Sequence, residues 1–438
     1  MKVKGLRWWI IGLVSLATII NYLDRNTLSI MWPGMVGDLG LIDNSLPADE
    51  AKKQAKEIYS YIYMFFMVAY GISQMVSGKL YDRIGTRLGF VVSVVIWAIS
   101  DALTSVARGI GSLSFFRALL GLGEAGAWPG ATKSNAEWFP VKERALAQGI
   151  FGAGASIGAI LSPIIIAVLY GAFGWKATFI IVGSLGLVWI IPWLIINKKL
   201  PAEHPWITDE EKKYILDGQP EKKLVVDNSL SWGELLRHKQ SYAIIVARFF
   251  IDPIWWMFVA WLPMYLFEVH GFDIKQIGFT AWVPYVGALL GSLSGGLTAK
   301  KLIGMGKSVN FTRKFTIIFG SAIMLPMLIA TAFASQPIVA VILMAFILFG
   351  FQFVISNIQT LASDFFSGKT VGSLAGLGGA SATLGVLISM FSVPYITSGG
   401  NWIWFFVLGA LLVPLSVISV YIFGGKIEPV QVDENINK

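Results

Sequence analysis

The feature that most constrains this chain is a recurrence of apolar runs, each close to the ~20 residues a bilayer crossing needs. Twelve occur, at about 9–31, 58–78, 88–107, 111–132, 146–171, 177–197, 242–267, 277–299, 315–333, 337–361, 371–396 and 402–424. In lipid, a backbone must satisfy its own amides and carbonyls, which makes such runs helices. The polar stretch 198–241 divides them six and six. The expectation is an all-α membrane protein: twelve transmembrane helices in two six-helix halves, 1–197 and 242–438, joined by a cytoplasmic connector at 198–241. Only 14% of residues are charged, against roughly 25% in soluble domains.

Basic residues set the orientation. With the N-terminus inside, the cytoplasmic segments hold 25 Lys and Arg and the outer ones six, which predicts both termini in the cytoplasm. The net charge of +8 is then a topology signal and implies no nucleic-acid partner. The chain has no cysteine, which excludes disulfides and thiolate chemistry. His204, His238 and His270 are scattered over polar connections, so no metal and no cofactor is expected. The basic opening Met1–Arg7 leads into a run of spanning length, read as a retained first helix.

Charges inside the runs are the candidates for function, because each costs about 2.5–3.5 kcal/mol at mid-bilayer. Arg117 and Glu124 lie seven residues apart in the fourth run, on one helical face and separated by roughly 10 Å of rise. Asp24 and Arg25 fall in the outer third of the first run, at the height of Arg117. Two guanidiniums at one level suit a carboxylate, since each offers a planar fork. A structural ion pair competes with this reading for Arg117–Glu124, and an Asp24–Arg25 pair competes for Arg25. Asp24 and Glu124 are the candidates for proton coupling, because a carboxyl that loses its arginine to substrate in low dielectric should take up a proton. Tyr63, Tyr70 and Gln74 share a face of the second run, either binding hydroxyls or packing as an aromatic stripe. Arg248 and Asp252, followed by Trp255, Trp256 and Trp261, carry either a local ion pair or a site. Gln352, Asn357 and Gln359, with Ser381 and Thr383, are polar positions expected in part to line a cavity.

Thr208-Asp209-Glu210-Glu211 reads as a capping box opening a short surface helix through Leu216, ended by Gly218. Gly78-Lys79-Leu80-Tyr81-Asp82-Arg83 follows the second run, and Gly295-Gly296-Leu297-Thr298-Ala299-Lys300 follows the eighth. This weak repeat, at the same place in each half, points to two six-helix halves in parallel orientation.

Residues Gly78 to Arg87 resemble the G-x-L-x-D-R-x-G-R loop of the major facilitator superfamily. That resemblance implies a gate-latch role for Asp82, Arg83 and Arg87; the second copy has Ala299 at the acid's place. Asn21-Tyr22-Leu23-Asp24-Arg25-Asn26, Arg117 to Glu124, and Glu137 to Arg144 are together similar to the anion:cation symporter family of sugar-acid and organic-anion transporters. Lys4 to Trp8, Thr208 to Gly218 and Arg248 to Pro253 resemble its hexuronate transporters. Sugar-acid symporters of this family can carry a binding Gln in span five, where Ala155 or Ser156 stands here. Some use an Asn in span eleven, near Gly378 to Ser381.

The expected function is proton-coupled import of a sugar acid, a hexuronate first, by alternating access across a bacterial inner membrane, the chain acting as a monomer. Substrate contacts are expected from Arg25, Arg117, Tyr22, Tyr63, Tyr70, Gln74, Trp261, Gln352, Asn357 and Ser381, proton coupling from Asp24 and Glu124, and gating from Asp82, Arg83, Arg87 and Arg144. The alternatives are another organic anion (an aldonate, an aldarate or an exchanged organophosphate) or export of amphipathic molecules. An enzyme is not expected, since no phosphate loop, HExxH or nucleophile–His pair occurs.

Overall fold

The computed structural model describes residues 2–42, 47–219, 230–272, 276, 280–397 and 401–430, and helices dominate throughout. Among these residues, eight helices are long and apolar enough to cross a membrane. Two of them are double crossings. Ala48–Thr104 breaks at Gly85 (φ 78°) and Val141–Ile196 at Gly174 (φ 74°). A side chain in this left-handed region costs roughly 1–2 kcal/mol, which glycine avoids. The reversal at Gly85 is plain from Tyr81 and Phe90, whose rings meet at 5.3 Å. A straight helix would hold them about 13 Å apart along its axis.

The fourth crossing is itself broken, into Ile110–Glu124 and Ala127–Trp138. Pro129 supplies a reason: it has no amide to give the carbonyl of Ala125. Leu6–Asp38, Lys239–His270, Val283–Gly304, Val309–Ala332, Pro337–Phe365, Val371–Ile396 and Ile403–Gly424 complete twelve crossings. The first extends seven residues past its expected end at 31. The eighth starts later than expected, at Val283; positions 277–279 of that expectation lie outside the described residues.

Buried apolar side chains gather into one cluster drawn from 230–427 and two drawn almost wholly from 6–215. Small residues join these two bodies. The second crossing packs on the eleventh with Gly78 against the Gly372 carbonyl and Gly376 against that of Gln74. The fifth packs on the eighth with Gly149 against Ser292 and Gly296 against Leu146. Missing side chains are what let the backbones touch. In the weak sequence repeat Gly78 presses on a helix of the opposite body, while its counterpart Gly295 packs on Phe353 of its own body and the neighbouring Gly296 makes the crossing contact.

The connector helix, which its polar composition marks as a solvated spacer, is tied to the first crossing. It runs Asp209–Asp217, and Thr208 caps it by accepting from the Glu211 amide at 3.3 Å. It is not merely a solvated spacer. Glu211 accepts from the Leu6 amide (2.9 Å) and from Arg7 (2.7 Å), satisfying amides that the first helix leaves open. Lys133 and Arg313, counted with the loop charges in the sequence, are buried and paired.

Candidate functional site

A small central cavity lies where the two bodies meet. One body supplies Tyr22, Arg25, Tyr70, Gln74 and Trp128. The other supplies Arg248, Asp252, Trp255, Trp256, Phe351, Gln352, Ile355, Gln359, Ala382 and Thr383. Arg25 is its central cation. Its Nε and an Nη reach Glu124 at 2.8 Å, and an Nη donates to Asn21 Oδ1 at 3.3 Å. The rings of Tyr22, Phe66, Tyr70 and Trp256 surround the guanidinium at 5.0–5.6 Å, an arrangement that holds a cation without neutralising it. Arg248 donates twice to Asp252 Oδ2, at 2.6 and 3.2 Å. The Gln74 carbonyl oxygen is buried with no hydrogen-bond donor among the described residues.

Of the expected binding residues, Tyr22, Arg25, Tyr70, Gln74 and Gln352 line this cavity. Arg117, Tyr63, Trp261, Asn357 and Ser381 do not. Arg117 turns to the third crossing, where it meets Asp101 (2.8 Å) and Thr104 (3.3 Å). Its spacing from Glu124 is that of a shared face, but with two turns of helix between them each takes its own partner. The Arg117–Glu124 and Asp24–Arg25 pairings are both replaced, by Arg117–Asp101 and Arg25–Glu124. Tyr63 stacks between Tyr59 and Phe66. Trp261 donates to the Met390 sulfur at 3.2 Å, Asn357 accepts from Arg313 at 3.3 Å, and Ser381 donates to the Ile245 carbonyl at 2.9 Å.

Residues 14–366 match the family described as Major Facilitator Superfamily. The chain belongs to the major facilitator superfamily. It is 35% identical over 385 residues to a hexuronate transporter of Escherichia coli, covering 87% of this chain and 86% of the relative. To a galacturonate transporter of Dickeya chrysanthemi it is 34% identical, covering 74% and 90%. A proton:xylose symporter structure superposes with a TM-score of 0.74 at 13% identity, over 97% of both chains. This facilitator is thus a multi-pass membrane transporter and not an enzyme.

The facilitator's loop acid spans both bodies. Asp82 accepts from Lys133 Nζ (2.9 Å) and from the amides of Gly372 (3.0 Å) and Ser373 (2.6 Å). Those amides are free donors at the start of the eleventh helix, where a carboxylate is favoured. Lys133 also donates to the Gly368 carbonyl at 3.1 Å. Arg144 reaches across to the Ser363 carbonyl and also holds Gln219 (2.6 Å). Arg87 makes a long bond to the Leu194 carbonyl (3.4 Å), and Arg83 is exposed. Asp82 and Arg144 thus bridge the two bodies, at the end carrying the chain termini; Arg87 bonds within its own body.

Asp82→Asn should therefore slow net uptake and substrate exchange alike, by roughly a hundredfold. Removing one partner of a buried pair costs about 3–5 kcal/mol, all of it from the latched state. Side-by-side uptake and equilibrium binding would check this; normal transport with lost affinity contradicts a latch.

Three features escaped the sequence reading. Asp101 was an ionisable residue inside the third run, so the cost of burying charge alone could have flagged it. Trp128 lines the cavity from the first turn after the break at Ala125–Gly126. Arg313 is wholly buried against Asp364 (2.7 Å) although it stands near a basic loop.

Proposed function

We propose that the chain imports a sugar acid, a hexuronate first, together with protons, by alternating access. The observation that carries this reading is Arg25, a guanidinium set in the wall of the inter-body cavity and held by a single carboxylate. An arriving substrate carboxylate competes with Glu124 for the guanidinium fork. Gln74 and Gln352 offer amides to sugar hydroxyls, and Trp128, Trp255 and Trp256 offer faces to the ring's C–H surface. The hexuronate and galacturonate transporters among the relatives support the substrate class. Glu124, once its cation is taken, gains a proton, which ties substrate to proton flow. The excess of basic residues on one side supports both termini in the cytoplasm, and the bacterial relatives support an inner membrane. A cavity completed within one chain supports a monomer.

Arg248 favours one second reading. It is a second cavity cation, so a dicarboxylate such as an aldarate has a partner at each end. Labelled uptake into proteoliposomes separates the two. Glucuronate and galacturonate uptake driven by an inward proton gradient, outcompeted weakly by galactarate, supports the hexuronate reading. Preference for galactarate selects the second, and indifference to the proton gradient overturns the coupling.

A further inference from the structure

Gln359 stands at the inner limit of the cavity, toward the end that carries the chain termini. Gln352, Ile355 and Gln359 all line the cavity from the tenth crossing, and Gln359 is nearest that helix's end at Phe365, about 9 Å away along the axis. Its side-chain oxygen accepts from Gln148 Nε2 at 2.5 Å, and Gln148 Oε1 accepts from Asn135 Nδ2 at 2.8 Å. Gln148 belongs to the fifth crossing, about 10 Å past its start at Val141, so this run of amides passes from one body to the other. All three side chains are buried. A smaller pocket continues past Gln359 toward the same end, between Thr132, Ile244 and Ala375. The Gln148–Gln359 bond therefore lies between the cavity and the bridges made by Asp82 and Arg144.

A primary amide has two polar ends, and Gln148 occupies one of those on Gln359. The other, the amide nitrogen, has no partner among the described residues and is left to the cavity. While the cavity is empty the tie is secure, because breaking it strands a buried carbonyl and a buried amide. Adjacent hydroxyls change that balance. One accepts from the amide nitrogen while its neighbour donates to the oxygen, which replaces what Gln148 supplied. A carboxylate alone has no proton to donate and cannot do this.

We propose that Gln359 is the trigger by which a hydroxylated substrate releases the two bodies: vicinal hydroxyls take Gln359 from Gln148, and the inner side of the cavity opens. Arg25 then recognises the carboxylate, while Gln359 decides whether the bound anion is carried. An anion without hydroxyls binds and is not transported. Gln359's role rests on the sugar-acid reading for the nature of the trigger; the tie itself is observable without any substrate.

The full-length chain has no cysteine of its own, so Thr132→Cys places a single thiol in the inner pocket. Its labelling by a membrane-impermeant maleimide is timed in proteoliposomes, from the side carrying the termini. Glucuronate or galacturonate should speed labelling about tenfold, the worth of roughly one hydrogen bond. Cyclohexanecarboxylate, at a concentration that displaces labelled hexuronate, should leave the rate unchanged. Adding Gln148→Leu should give the fast rate without substrate, and hexuronate should then add nothing further. Should that variant fail to fold, Gln148→Asn, one methylene too short to reach Gln359, should behave the same way. An unchanged basal rate in the Gln148 variant overturns the tie as a lock. Acceleration by cyclohexanecarboxylate equal to that by glucuronate overturns the hydroxyl trigger, and its failure to displace hexuronate overturns the division of labour between Arg25 and Gln359. A raised basal rate in the Gln148 variant, beside no calorimetric binding of either hexuronate, sinks the sugar-acid reading and the trigger together and leaves the lock standing.

Discussion

Arg25→Lys is expected to reduce uptake at least a hundredfold while leaving the protein folded. Lysine keeps the charge but offers an ammonium in place of a planar fork, and it cannot lie flat among four rings. Arg25 holds Glu124 through a nitrogen at 2.8 Å and sits 5.0–5.6 Å from the centres of Tyr22, Phe66, Tyr70 and Trp256. Losing both the two-point grip on a carboxylate and the ring contacts costs about 3 kcal/mol, or roughly two powers of ten in binding. Labelled hexuronate uptake, beside size-exclusion profiles of the two proteins, checks this. Uptake above a third of wild type would remove Arg25 from the substrate. Arg117→Lys makes the contrast, since Arg117 meets Asp101 and Thr104 and does not line the cavity. It should keep substrate affinity within a few-fold.

Glu124→Gln should separate exchange from accumulation. Glutamine preserves the shape and an acceptor for Arg25 but is permanently neutral, like a protonated glutamate. Arg25 is then free for substrate, so labelled-for-unlabelled exchange continues and apparent affinity rises. What disappears is one proton per substrate. At clamped membrane potential, each unit of pH gradient is worth about 1.4 kcal/mol per coupled proton, so the accumulation ratio should fall roughly tenfold per pH unit imposed. A mutant that concentrates substrate as steeply as wild type would move that proton elsewhere.

The architecture was legible because its signal is coarse. Twenty apolar residues must become a helix in lipid whatever their partners, and the polar connector stands out at 198–241. Arg25, Glu124 and Gln74 were legible for the same reason, as costly residues in an apolar medium. Which acid meets which base was not. Arg117 and Glu124 share a helical face, yet the choice between them, Asp24 and Asp101 depends on how the first, third and fourth crossings are rotated. Gly121 and Gly123 help set that rotation by pressing on the backbones of Phe66 and Trp97. Asp82 shows the same limit from the other side. The loop motif singled out the acid, while its partners, the amides of Gly372 and Ser373, have no side-chain signature and lie 290 and 291 residues away.

The two left-handed glycines have a mechanical consequence. At Gly85 and Gly174 a single residue turns the chain from one crossing into the next, and one residue reaches only about 3.5 Å. Sliding a helix one turn along its neighbour takes about 5.4 Å, more than such a joint can pay out. The second and third crossings, and the fifth and sixth, are therefore paired struts of fixed offset. In kinematic terms each pair is one strut and not two independent pistons.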